Sequence, residues 1–161
     1  MSNMYPTPSV SGDRAKEIIE QVIYLNVATT DQNGQPWNTA VFSAYDEQYN
    51  LYWGSDKDAQ HSQNIAANNK VFITVYDSTI PAGKGEGVYI QALAEEVTDA
   101  EEIKRVHALL QNRRPVPYWK LEQMTGEGAV RIYKAIPRKV WMNDEGEKGG
   151  DYVDKRTEVK L

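Results

Sequence analysis

The segment from Ser55 to Asn64 combines cationic, hydroxyl and amide side chains with the signals of a helix start. The first backbone N–H groups of a helix have no partner within the helix, and they bind anions readily. Lys57, His61 and Asn64 stand at positions i, i+4 and i+7, so one continuous helix would project them from a single face. The segment is therefore predicted to bind a phosphate group. The alternative is an ordinary solvated helix face.

Other residues with chemical potential are few. The chain has no cysteine, which excludes disulfides, thiolate nucleophiles and metal sites built on sulfur. The two histidines, His61 and His107, show no metal-ligand spacing, so we expect no metal site and assign His107 no role. Arg113 and Arg114 form a local basic cluster that could receive an acidic substrate or the partner's tail. Cations are favoured at a helix C-terminus in any case, and this second interpretation is the one we adopt. Chemistry carried by a bound cofactor fits this inventory.

Charge and hydropathy restrict the classes of partner. Asp and Glu number 23 against 18 Lys and Arg, giving a net charge of -5. Such a field repels phosphate backbones and anionic lipids, so we expect neither nucleic acid nor a membrane as partner. Residues 1–10 lack the apolar core of a signal peptide, and no apolar run of about 18 residues occurs. We expect a cytoplasmic protein.

Periodicity predicts the elements that must position these residues. Helices are predicted at 13–22, 55–69 and 99–112, with a short helical turn around 119–123. Strands are predicted at 23–30, 35–45, 50–54, 71–76, 87–97 and 129–143, the last interrupted at Pro137. Asn33-Gly34 supplies a tight hairpin between the first two strands. Because the helices are added to the strands rather than alternating with them, the pattern predicts a mainly β fold, an antiparallel barrel with added helices.

The predicted elements end near residue 143. Residues 1–143 are therefore predicted to form a single barrel domain with an N-terminal helix. Residues 144–161 are charged and contain glycine, so we predict a tail that is disordered or packed on a partner subunit.

The predicted phosphate segment belongs to a wider pattern. Its members are His61-Ser62-Gln63-Asn64-Ile65, Asn68, Val71, Tyr76-Asp77-Ser78-Thr79, Pro81 and the run Gly83, Gly85, Gly87-Val88-Tyr89-Ile90. This pattern covers about residues 23–97 and resembles the pyridoxamine 5'-phosphate oxidase-like family of FMN-binding split barrels. The resemblance implies a six-stranded antiparallel split barrel and a non-covalently bound FMN. It does not imply vitamin B6 oxidation, because the C-terminal arginine and histidine pattern of true pyridoxamine phosphate oxidases is not found.

The resemblance also implies a set of flavin-binding residues. The FMN phosphate is expected at Ser55, Lys57, His61 and Asn64. The edge of the isoalloxazine ring is expected along the main chain of Trp37, Asn38, Thr39, Ala40 and Val41. Gln91, often contributed by the second subunit, and Trp141 complete the expected site. The alternatives are a sheet aromatic for Trp37, a solvent-facing amide for Gln91 and dimer packing for Trp141.

These expectations lead to a functional hypothesis with two alternatives. We predict an FMN-dependent oxidoreductase that passes hydride or electrons to a small-molecule substrate, with a nicotinamide nucleotide as a candidate reductant. The first alternative is a flavin-binding or redox-sensing protein without turnover. The second is the same barrel holding deazaflavin F420 or haem. A homodimer is expected because one split barrel leaves part of the flavin groove open, and a two-fold partner closes it.

Overall fold

The computed structural model describes residues 10–113, 119–148 and 151–161. The helices are α1 (Gly12–Gln21), α2 (Gln60–Ala67) and α3 (Ala100–Asn112), with a 3-10 turn at Leu121–Met124. The strands are β1 (Tyr24–Thr30), β2 (Pro36–Tyr45), β3 (Leu51–Asp56), β4 (Lys70–Tyr76), β5 (Gly87–Glu96), β6 (Val130–Lys148) and β7 (Asp151–Val159). No helix in the described ranges has both the length and the apolar character that crossing a bilayer requires.

Strands β1 to β6 form a closed antiparallel barrel. Their order is β3-β2-β1-β4-β5-β6, and β3 pairs back with β6 to complete the ring. Strand β7 pairs with the second half of β6, from Val140 to Lys148, and was not predicted as a strand. The predicted fold class, a mainly β antiparallel split barrel of six strands with added helices, is confirmed.

The hairpin between β1 and β2 sets the register at the end of the barrel where the candidate site lies. Gly34 has a φ of 81°, a conformation that favours glycine. The Asp31 carboxylate accepts hydrogen bonds from the N–H groups of Asn33 and Gln35 at 2.8 and 2.9 Å. This turn places Thr29 opposite Trp37. Side chains that alternate along β1 and β2 are thereby fixed to the inner or the outer side of the sheet.

The apolar core has two parts. The barrel interior contains Trp53 and Tyr133, whose stacked rings have centroids 5.9 Å apart. A second cluster lies under α3, where Val106 and Leu110 pack with the buried ring of Tyr52. Packing on both sides makes β3 a rigid support for the residues that follow it.

Helix α1 is fixed at both ends. The Ser11 hydroxyl accepts a hydrogen bond from the N–H of Arg14 at 3.1 Å and caps its start. At its end, Arg113 donates from Nη2 to the carbonyl oxygens of Ile19 and Val22 at 2.7 and 2.9 Å. Arg113 therefore satisfies carbonyls at the end of α1, whereas the sequence interpretation concerned the end of its own helix, α3. Arg114 lies outside the described residues.

The C-terminal segment differs from the predicted tail. Strand β6 continues to Lys148, and β7 returns along it in antiparallel pairing. Val159 and Leu161 pack against the barrel core. The backbone of Lys160 approaches Gly12 so closely that a Cβ at Gly12 would lie 1.8 Å from the Lys160 carbonyl oxygen. Backbone pairing with β6 and these two apolar contacts hold a segment whose charged composition alone favours disorder.

Candidate functional site

His61 lies at the mouth of the barrel, where the first turn of α2 meets the end of β3. Its side chain is 7% exposed, and Nε2 lies 2.7 Å from the Ser55 hydroxyl oxygen. Ser55 is itself buried near the end of β3, opposite Arg131 of β6. The structure therefore joins two of the residues predicted to bind phosphate.

A chain of polar contacts extends from His61 to the surface. Nδ1 of His61 lies 3.5 Å from the Thr39 hydroxyl, which accepts a hydrogen bond from the Trp37 indole at 2.9 Å. Because Thr39 already accepts from Trp37, its hydroxyl hydrogen is available for Nδ1. The neutral tautomer protonated at Nε2 then donates to Ser55, whose own hydroxyl hydrogen remains a donor. The Trp37 ring at the outer end is 48% exposed.

Asn64 holds α2 against the barrel. Its amide nitrogen donates to the buried Thr29 hydroxyl at 2.9 Å, and its amide oxygen accepts from Gln60 at 2.8 Å. The Ser62 hydroxyl adds a bond to the Asp56 carbonyl oxygen at 2.7 Å. Asn64 thus lies beside His61, as predicted, but its hydrogen bonds position the helix.

Lys57 does not join this group, and the prediction of one shared helical face is wrong. Strand β3 continues to Asp56 because its backbone pairs with β6, and the Lys57 N–H donates to the Ala129 carbonyl oxygen at 2.9 Å. Helix α2 starts only at Gln60, so Lys57 lies in the preceding turn. Its exposed side chain lines a separate groove of about 370 Å³.

The electrostatics of the site follow from burial. Removal from water lowers the pKa of His61 below its ordinary value of 6.5, so the ring is neutral near neutral pH. No side chain caps the start of α2 at Ala59, which leaves the positive end of the helix to other acceptors. The donors that remain at the barrel mouth are therefore the Ser55 hydroxyl and backbone N–H groups, because the N–H of the neutral imidazole is directed to Ser55. This donor set fits a phosphate, which accepts several hydrogen bonds at once.

The five predicted residues of β2 divide by strand alternation. Trp37 and Thr39 share the inner side with Val41, which is buried in the core. Asn38 and Ala40 are exposed on the outer side. Only the first two inner side chains reach the hydrogen-bonded chain around His61.

Gln91 and Trp141 lie on the outer face of the barrel, apart from the His61 group. Gln91 is exposed and opposite Lys139, and Trp141 is half-buried and opposite Tyr89. Gln91 lines a groove of about 510 Å³ together with Phe72, Lys70 and Arg138. Gln91 and Trp141 therefore lie apart both from the residues at the barrel mouth and from Lys57 in its separate groove.

Arg138 was missed by the sequence analysis. Gln91 pairs with Lys139 and Ala92 pairs with Pro137, so Arg138 is the extra residue of a β-bulge. The strand interruption predicted at Pro137 coincides with this bulge, but it did not indicate where the Arg138 side chain would point. The bulge leaves Arg138 exposed at the groove instead of continuing the inward alternation.

An apolar surface lies on the same outer face. Tyr24 is 56% exposed and its ring meets the Phe42 ring edge to face, with centroids 6.0 Å apart. Phe72 and Tyr76 of β4 are also exposed on this side. We call Tyr24, Phe42, Phe72 and Tyr76 the aromatic face. Several exposed aromatic rings on one sheet are typical of an interaction surface.

The remaining histidine has a local role. Nε2 of His107 lies 2.6 Å from the Trp119 carbonyl oxygen, which links α3 to the segment before the 3-10 turn. The described residues contain no group of three or more histidine, aspartate and glutamate side chains suited to a metal ion.

Comparison with protein families identifies one match. The model of the family described as pyridoxamine 5'-phosphate oxidase matches residues 11–144. This range contains β1 to β5, β6 as far as Asp144, and all the predicted site residues. A comparison with curated proteins finds no match.

Solved structures share the fold. A candidate 5-nitroimidazole antibiotic resistance protein from Bacteroides thetaiotaomicron is 18% identical with a TM-score of 0.69, over 83% of this chain and 85% of its own. The haem storage protein of Vibrio cholerae is 18% identical with a TM-score of 0.67, over 80% of this chain and 92% of its own. An F420 reductase is 22% identical with a TM-score of 0.60, over 78% of this chain and 94% of its own. At these identities the likeness concerns the fold alone.

The buried His61 ring predicts a specific loss of stability in acid. Since the pKa of His61 is lowered in the folded state, the unfolded chain takes up a proton first as the pH falls below 6.5. The contribution of the neutral His61 ring to the free energy of unfolding is therefore fully present above this pH, and it is lost as the pH falls toward the pKa of the folded state. Urea unfolding measures the free energy of unfolding at about pH 7.5 and about pH 5.5. Between these two pH values, the free energy of unfolding should fall more for the wild type than for His61→Gln.

His107→Gln is the matched control and should keep the wild-type pH dependence. Equal losses in the wild type and His61→Gln would contradict a buried neutral imidazole at the barrel mouth.

Proposed function

The chain belongs to the pyridoxamine 5'-phosphate oxidase family, and on this basis we propose that it binds FMN non-covalently and serves as a flavin-dependent oxidoreductase. Its substrate would be a small molecule that takes or gives hydride or electrons through the flavin. The observation that carries the proposal is the donor set at the barrel mouth. Ser55, His61 and the uncapped start of α2 converge where an anion can be bound.

The proposed phosphate site relies on neutral donors. The Ser55 hydroxyl and the first N–H groups of α2 would donate to the phosphate oxygens, with His61 fixing the Ser55 hydroxyl. Lys57 would act at most through its charge, because its side chain lines the neighbouring groove. Bound FMN would supply hydride and electron transfer, so this chain's residues need to bind, orient and shield rather than donate a nucleophile.

The main alternative cofactor is haem. Histidine is a frequent axial ligand of haem iron. Both ring nitrogens of His61 have polar neighbours, Ser55 and Thr39, and Nε2 of His107 contacts the Trp119 carbonyl oxygen. These contacts favour FMN over haem. The absorption spectrum of the purified protein separates flavin, deazaflavin F420 and haem.

We also propose a homodimer formed through the aromatic face. Tyr24, Phe72 and Tyr76 are each more than a third exposed, which costs free energy unless apolar surface covers them. A partner related by a two-fold axis would pack its aromatic face against the same face of the first subunit. It would also close the open side of the groove beside Gln91. Gln91 and Trp141, which lie on this side, would then approach the flavin of the partner subunit.

FMN affinity should depend on Ser55. Ser55→Ala removes a proposed phosphate donor, and charge-assisted hydrogen bonds support a loss of about tenfold in affinity. Titration of flavin-free protein with FMN, followed by fluorescence quenching, measures the change. Ser43→Ala is the matched control, since Ser43 is also buried in the barrel but bonds the Ile23 carbonyl oxygen. Wild-type protein that is colourless and does not bind added FMN would overturn the proposal.

Turnover distinguishes the enzyme from a flavin-binding or redox-sensing protein. We expect NADH or NADPH to bleach the absorbance of bound FMN and an added acceptor to restore it. Two results together would favour the non-catalytic alternative. Oxidised bound flavin would stay oxidised with both nucleotides, and bound flavin that has been reduced chemically would stay reduced with a panel of quinone and nitroaromatic acceptors.

The dimer has its own test. Tyr24→Glu places a charge in the centre of the proposed contact and should convert a dimer into a monomer in sedimentation experiments at micromolar concentration. Trp119→Glu, which changes an exposed ring that is not a member of the aromatic face, should leave the dimer intact. A wild-type mass of one chain would contradict the proposed assembly.

A further inference from the structure

The groove beside Gln91 has the features of a small-molecule site. It has a volume of about 510 Å³ and is lined in part by apolar side chains, among them Phe72, Ala28 and Leu93. Its polar groups are few: the Gln91 amide, two cations and small hydroxyl and amide groups. An apolar lining with a small number of polar groups is the usual composition of a ligand pocket.

The two cations of the groove lack acidic partners. Neither Lys70 nor Arg138 forms an ion pair with a residue of the described ranges. Some other cations of the described residues are paired, such as Arg14 with Glu86 at 2.6 Å and Lys134 with Glu102 at 3.0 Å. Two unpaired positive charges at one apolar groove attract an anion.

The backbone directs one of these cations to the groove. Arg138 is the extra residue of the bulge opposite Gln91 and Ala92. Bulges re-aim side chains and are frequent next to functional sites. Without the extra residue, regular alternation after Pro137 would not present both Arg138 and Lys139 on the exposed side of β6.

We propose that this groove binds the substrate, and that the substrate is a flat aromatic molecule carrying a negative charge. Phe72 offers a ring for stacking, and Arg138 with Lys70 selects the anionic group. The assignment as substrate site rests on the proposed flavin function, since Gln91 is the residue that connects the groove with the expected flavin. The second subunit of the proposed dimer forms the open wall of the groove.

Two probes of similar shape and different charge test the inference. They are 1,4-naphthoquinone-2-sulfonate, which is anionic, and 2-methyl-1,4-naphthoquinone, which is neutral. Calorimetric titration of the FMN-saturated protein should give about tenfold tighter binding of the sulfonate. Arg138→Gln should abolish most of this preference while changing the affinity for the neutral quinone by less than about twofold. Lys70→Gln should reduce the preference in the same direction.

Lys104→Gln is the matched control, because it removes one exposed positive charge on α3 and lies outside the groove. It should keep the wild-type preference for the sulfonate. Equal affinity of the wild type for the two quinones, or an unchanged preference in Arg138→Gln, would overturn the inference.

FMN titration of the protein without quinone tests the flavin proposal independently of the proposal about the groove. If FMN does not bind, the same quinone titrations are made on the chain alone. An Arg138-dependent preference under that condition would support the anion groove and remove only its link with flavin chemistry.

Discussion

Pairing between β3 and β6 is the constraint on which the candidate site depends. It closes the barrel, and it engages the backbone of Ser55 and Asp56 opposite Arg131 and Val130. The strand therefore continues two residues past Gly54, and α2 starts only at Gln60. This delay brings His61 onto Ser55 and directs Lys57 to a different groove. The composition of the proposed phosphate site is a consequence of where one strand stops pairing.

A site built in this way has no fixed cation. Burial keeps the pKa of His61 low, and its neutral ring orders the Ser55 hydroxyl and contacts Thr39. Donors of this kind bind an anion through preorganised dipoles, which need no desolvation of a charged side chain. If a phosphate dianion binds there, its charge raises the pKa of His61, because a nearby negative charge favours the imidazolium. Affinity for the proposed cofactor and protonation of His61 are therefore linked.

Sequence patterns were sufficient for the barrel but not for the details that place its side chains. Alternation of apolar residues and the Asn33-Gly34 turn predicted β1 and β2 within a residue or two of their observed ends. The start of α2 was not predictable, because pairing with β6 is a contact between residues about 75 positions apart and leaves no local signal. The bulge had a signal at Pro137, but only the register shows that Arg138 is the extra residue. The composition of the last residues favoured disorder and concealed the apolar contacts of Val159 and Leu161.

The two sides of the barrel wall allow the proposed roles to be separated. Inner-side residues of β2, such as Thr39, join the hydrogen-bonded group that holds α2, and a change there disturbs buried polar bonds. Outer-side residues, such as Gln91 and Arg138, are exposed and bear little of the core packing. A cofactor anchored from the inner side can therefore remain in place while the outer groove changes its charge and shape. Under the proposed function, substrate selectivity would depend on a few exposed residues around the bulge. The barrel tolerates changes there because its closure is made elsewhere, between β3 and β6.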